Sequence, residues 1–247
     1  MFWDLPSQEL LRQIIFEPSH VPRAWIVFVN YLLLAAPRLY LGDPGLSNMW
    51  RWNAKVALEK PIMFLESSKI NIQTLMLLAV HSEDFSSPNL SWMLTSHACR
   101  QTQGLALHAR PADADDGTWQ RQLTLFWNLF GVEKWCALAF GRPCFLPYSL
   151  YRDVPAPSFE HLASFKPHLR DPTVKSAFGA HVFLRLIELA KITGTILETL
   201  AVEHTQNALV DLKNRLEDWY HTTVDVCPLS STPALRDEIL RLTDSRR

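Results

Sequence analysis

Residues 127–143 read WNLFGVEKWCALAFGRP, and the interpretation of this stretch decides the fold. It is apolar on almost every side, carries one acid–base pair, Glu133-Lys134, and stops at Gly141-Arg142-Pro143. A helix that is hydrophobic all round is either a membrane span or a rod enclosed by other helices. The charged pair near its middle is costly in lipid. The longest apolar stretch elsewhere, Ala24 to Ala36, contains Asn30 and is too short to cross a bilayer. The enclosed-rod reading therefore stands. Gly141 permits the left-handed turn that ends the helix, and Pro143 forbids its continuation.

The chain has 247 residues with nine tryptophans and thirteen phenylalanines, which require a sizeable core. Gly is scarce, at eight residues, and β-branched runs are few, so helices are expected over a Gly-rich all-β fold. The formal net charge is −1. A domain that grips nucleic acid by its phosphates is usually strongly basic, so no direct nucleic-acid partner is expected. The N-terminus, MFWDLPSQELLRQ, lacks the basic start and apolar middle of a signal peptide. Cys99, Cys136, Cys144 and Cys227 form no CxxC pair. Cys99 and Cys136 fall in apolar helical patterns, where a free thiol behaves as a small core residue suited to a reducing compartment.

Hydrophobic spacing gives helices around 8–16, 22–36, 47–60, 71–80, 91–107, 118–140, 173–200, 207–220 and 234–242. The helix at 91–107 is expected to bury Met93, Leu94, His97, Gln101 and Leu105. That at 173–200 is expected to bury Phe178, Val182, Leu186, Leu189, Ile196 and Leu200. Prolines at 143, 147, 155, 157, 167 and 172 mark 143–172 as an irregular connector with one helical turn near 159–164. The expectation is a single all-α domain, 1–247, of about nine or ten helices.

Catalytic and metal signatures are missing: there is no HExxH, GxSxG, Walker A loop or GxGxxG. His97 and Cys99 are two apart on a helix and point to different faces. Asp113, Asp115 and Asp116 lack the glycine and closing glutamate of a calcium loop, and read as a turn favouring the next helix's N-terminus. No metal, cofactor or catalytic set is expected. Arg100 and Glu133 are charged residues expected to be buried. Arg100 falls opposite Phe126-Trp127 if 91–107 and 118–140 form a hairpin, and its guanidinium is expected to stack on Trp127. Glu133 is expected to hydrogen-bond near Arg142, because an unpaired buried acid is costly. His81, His97, Arg100 and Glu133 are candidate polar groups for a pocket in this aromatic interior.

The ordered motifs IQTLMLLAV (72–80), SWMLTSHACRQTQGLALH (91–108), RQLTLFWNLFGVEKWCALAFGRPCFLP (121–147) and RDVPAP (152–157) resemble the middle homology region of fungal-specific transcription factors. LAKITGTILETL (189–200) and LEDWYHTT (216–223) are similar to that family's C-terminal helices. On this resemblance Arg100, Trp127, Glu133, Gly141, Arg142 and Pro143 are structural residues. The family's basic stretch before the tryptophan is reduced to Arg121, and its Asp-Arg pair appears as Glu133-Lys134. The family typically carries a binuclear zinc cluster that binds DNA through six closely spaced cysteines. Four scattered cysteines cannot supply it, so the chain is expected to lack a DNA-binding domain of its own. The resemblance implies a nuclear regulatory module, acting through a DNA-binding transcription factor, a co-regulator, self-association or a small-molecule effector. The alternative is a reused helical fold that binds an apolar metabolite or catalyses a cofactor-free reaction in a biosynthetic pathway.

Overall fold

The computed structural model describes residues 3–35, 44–59, 65–81, 88–164, 178–200 and 206–226. Among them the chain is all-α, with ten α-helices, one 3₁₀ turn (Pro18–His20) and no strand. It divides into two compact units, residues 1–158 and 159–247, with the boundary inside the Pro-rich connector.

In the first unit, α1 (Gln8–Phe16) is capped by Ser7, whose side chain accepts from the Leu10 N–H. α2 (Arg23–Ala35) buries Ala24, Val27, Phe28, Tyr31 and Leu34, and packs on α3 (Pro44–Leu58) and α4 (Lys69–Val80). Trp3 packs edge-on against Phe28, with ring centroids 5.8 Å apart. Sequence spacing placed the start of α3 at Ser47. The helix begins three residues earlier because Pro44 supplies a first-turn φ and lacks only an N–H that has no helical acceptor there. α4, capped by Ser68, has every residue from Asn71 to Ala79 buried. It packs on α5 (Pro88–Gly104), and both α4 and α5 pack on α6 (Asp116–Phe140).

α6 is the helix of the opening stretch. Asp115 caps it by accepting from the Thr118 N–H at 2.6 Å. Gly141 ends it at φ 60°, ψ 39°, and the Arg142 N–H returns to the Ala137 carbonyl at 3.0 Å. Residues Gln122–Phe130 are all buried. Enclosure is incomplete: Trp119 and Trp127 are inside, whereas Trp135 is 69% exposed and Leu138 and Phe140 also face outward. The open side is confined to one face of the last turns, since Glu133, Lys134, Cys136 and Ala137 there are buried.

The buried stripe of α5 differs from the one its large residues suggest. Met93 is 59% exposed, and His97 and Leu105 are half-buried. The interior face is Ser91, Leu94, Thr95, Ala98, Cys99, Gln101 and Thr102, mostly small residues that let α4 and α6 approach closely. Ser91 Oγ donates to the Ala79 carbonyl at 2.8 Å and Thr95 Oγ1 to the Ser91 carbonyl at 2.9 Å, whereas the buried Thr102 hydroxyl makes no hydrogen bond among the described residues. α5 closes with Ala106 at φ 49° and the Leu107 N–H on the Thr102 carbonyl at 3.2 Å. The left-handed residue that follows the helix is thus Ala106, and Gly104 is the last helical residue. Within the connector, α7 (Tyr148–Tyr151) belongs to this unit and sets Tyr151 against Phe126, at 5.4 Å between ring centroids.

The second unit contains α8 (Phe159–Ala163), α9 (Phe178–Leu200) and α10 (Gln206–Val226). α9 buries Ala180, Phe183, Ile187, Ala190, Ile192 and Gly194. Leu186, expected inside, is half exposed. The helix is apolar on more than one side, and the side bearing Ala and Gly admits its neighbours most closely. The Trp219 indole of α10 donates to the Arg185 carbonyl at 2.8 Å. The expected helix at 234–242 and Cys227 lie outside the described residues. No helix among the described residues is long and apolar enough to cross a membrane.

Candidate functional site

Glu133 and Lys134, the acid–base pair of the opening stretch, form a clasp in the C-terminal half of α6. Glu133 and Lys134 are each 1% exposed. Successive helix residues do not face one another, yet both side chains turn toward the segment after the helix. Lys134 Nζ lies 2.6 Å from Glu133 Oε2 and also donates to the Leu146 carbonyl. Glu133 Oε1 accepts from the Phe145 N–H at 2.8 Å. The ammonium sits 4.4 Å above the Phe130 ring. Two opposite charges and two backbone groups thereby satisfy one another away from water, which a buried pair requires.

Glu133 does hydrogen-bond close in sequence to Arg142, but its partners are Lys134 and the Phe145 amide. Arg142 reaches elsewhere: its guanidinium lies 5.3 Å from the Trp92 ring centroid and donates to Asn89 Oδ1 at 3.2 Å. The expected stacking of Arg100 on Trp127 is absent, and Arg142 instead makes a cation–aromatic contact with another ring, Trp92. Arg100 is exposed on α5 and does not stack on Trp127. Trp127 is 1% exposed, with its indole N–H on the Pro155 carbonyl at 2.7 Å. The rotation of α5 that places small residues inside carries Arg100 outward. Pro143 is exposed just past Gly141.

Close to this clasp is the Cys99 thiol, fully buried. Burial above all, and then the Glu133 carboxylate, pushes it well above its usual value. It is held as a neutral thiol, the form expected of a core cysteine. Cys136 is buried with its sulfur 3.6 Å from Thr95 Oγ1. No group of three or more His, Cys, Asp or Glu among the described residues is placed to hold a metal ion.

A cleft lies elsewhere in the same unit. It has a volume of about 790 Å³ and is bounded by α1, the 3₁₀ turn, α2 and α3. Ile26 and Val29 form part of one wall; Trp50, Trp52 and Val56 form part of the other. Asn30, 7% exposed, donates from Nδ2 to the Ile26 carbonyl at 2.8 Å and accepts from Asn53 Nδ2 at 3.4 Å. Arg23 Nη1 lies 3.5 Å from the Val56 and Ala57 carbonyls, the last-turn acceptors of α3. None of His81, His97, Arg100 and Glu133 lines this cleft. His81 closes α4 and His97 lies on α5, both half-buried. Glu83 and Asp84, which follow His81, lie outside the described residues. Sequence reasoning missed the cleft's polar groups. Their one signal is Arg23 directly after Pro22, at the head of an otherwise apolar helix.

The family model of the fungal specific transcription factor domain matches residues 51–221. The chain belongs to this family. A "Transcriptional regulator" from Claviceps purpurea (strain 20.1) is 27% identical over 177 residues, covering 71% of this chain and 28% of the relative. The chain thus spans well under half of that relative's length. No solved structure matches.

Proposed function

We propose that this chain is the regulatory region of a fungal transcription factor-like protein, acting in the nucleus through protein contacts or a bound effector and without DNA contacts of its own. The family match carries the reading. It runs from 51 to 221 and so spans the boundary between the two compact units, which supports treating 1–247 as one regulatory region. The near-neutral charge supports contacts with proteins over contacts with phosphates. Partners are a DNA-binding transcription factor, a co-regulator or a second copy.

Tethering residues 1–247 to an unrelated DNA-binding domain tests this. A reporter downstream of the tethering site should rise or fall relative to the tether alone. An unchanged reporter, together with tight salt-sensitive binding of the untethered chain to DNA, would refute it. The α1–α3 cleft favours a second reading, in which the helical fold holds an apolar metabolite. Arg23 is the one charged group among the described residues that line it. Acid–base catalysis at pH 7 draws on groups that titrate nearby, and a guanidinium does not. The lining thus supports binding more than a cofactor-free reaction.

A further inference from the structure

The cleft's chemistry narrows what it would hold. At about 790 Å³ it has the capacity of a small-molecule site. Twelve of its sixteen lining residues are apolar, and the polar ones are Ser19, Arg23, Asn30 and Asn53. The Asn30 amide is already engaged by Ile26 and Asn53. Arg23 differs. Its two carbonyl contacts, both from Nη1, are at 3.5 Å, the outer limit of hydrogen-bond length. They anchor one arm of a planar fork that presents five donors, so the guanidinium is half-buried, positioned and still able to bind. It stands at the first residue of α2, where unpaired backbone N–H groups add partial positive charge.

A cationic fork at one end of an apolar, tryptophan-walled cleft is complementary to one ligand class. We propose that the cleft binds an amphipathic organic acid, with its carboxylate on Arg23 and its apolar body against Ile26, Trp50 and Val56. A neutral apolar molecule fills the walls but leaves the fork unused. A cationic one meets Arg23 with no acid among the described lining residues to offset it. Use of this acid as an effector rests on the regulatory reading above; the binding itself rests on the cleft.

The test uses the whole chain, with decanoate and decan-1-ol as probes that share a chain length and differ in the headgroup. Calorimetric titration below the micellar range should give decanoate an affinity about ten-fold or more above that of decan-1-ol, the scale of one charge-assisted contact. Arg23→Met should bring the two probes together, and Arg23→Lys should keep most of the preference. Because Arg23 also caps α3, Ile26→Trp serves as an independent variant. It fills the cleft while keeping the Arg23 side chain, and should weaken both probes while leaving the melting temperature of the free chain near that of the wild type. Equal affinity for the two probes, a preference that survives Arg23→Met, binding unaffected by Ile26→Trp, or no decanoate binding would each overturn the assignment. The tethered reporter separates this from failure of the regulatory reading. A reporter response without decanoate binding removes the ligand assignment alone, and decanoate binding without a reporter response removes the regulatory reading alone.

Discussion

Replacing Lys134 by Met removes the ammonium while nearly preserving the shape of its side chain. The Glu133 carboxylate, 1% exposed, would keep the Phe145 N–H but lose its countercharge, and the Leu146 carbonyl would lose its donor. Breaking a buried pair by removing one partner costs about 3–5 kcal/mol. Glu133→Gln retains a neutral acceptor for Phe145 but strands the ammonium, and belongs in the same range. The double variant Glu133→Gln/Lys134→Met removes both charges together. What remains unsatisfied is the Leu146 carbonyl, worth about 1–3 kcal/mol. The double variant should therefore be more stable than either single one, a large departure from additivity. Urea unfolding of the full chain followed by far-UV circular dichroism, with the slope held common among variants, measures all four corners of the cycle. Single variants costing under about 1 kcal/mol, or a double variant costing the sum of the two, would refute a closed ion-pair clasp.

Two further perturbations concern helix ends. Ala106 holds a left-handed conformation at φ 49° where a side chain is strained, so Ala106→Gly should raise stability by up to about 1 kcal/mol. Gly141→Ala, at φ 60°, should lower it by about 1–2 kcal/mol. The same urea titrations read both, and a destabilising Ala106→Gly would contradict the cap assignment. Asp115, the N-cap of α6, has its carboxyl held below the usual 3.8, chiefly by the Thr118 N–H. A depressed folded value means the cap's charge contributes stability fully above the unfolded value, and that this is lost as pH falls through the folded one. Melting curves of wild type and Asp115→Asn should run parallel above about pH 5 and converge or cross only below about pH 4. Parallel curves down to pH 2.5 would count against it.

The parts of the fold that sequence made legible are those where chemistry is local. Gly141 and Pro143 announce where α6 stops, and the acidic turn at 113–116 announces where it starts. The all-round apolar middle of α6 announces enclosure. What sequence could not supply is rotation. On α5, the eye follows Met93 and Leu105, but packing selects Ala98, Cys99 and Thr102, because close approach of three helices favours small residues over large ones. That single rotation also explains why Arg100 is outside. Glu133 was legible as a buried acid because its surroundings in sequence are apolar. The cleft was not, since an unfilled volume between α2 and α3 leaves no mark on either helix's periodicity.

Thr74, within the fully buried run of α4, ties that helix to the start of α2. Its hydroxyl on α4 donates to the Ala24 carbonyl at 3.0 Å while also contacting the Ile70 carbonyl at 2.8 Å. Ala24 is the residue next to Arg23, so α2 is pinned to the buried α4 beside the cation that guards the cleft. Should a guest widen that opening, α2 has little freedom to retreat, and the displacement falls on α3, whose Trp52 lines the cleft and is largely exposed. The half of the molecule that would report an arrival is then the face already turned toward whatever lies outside.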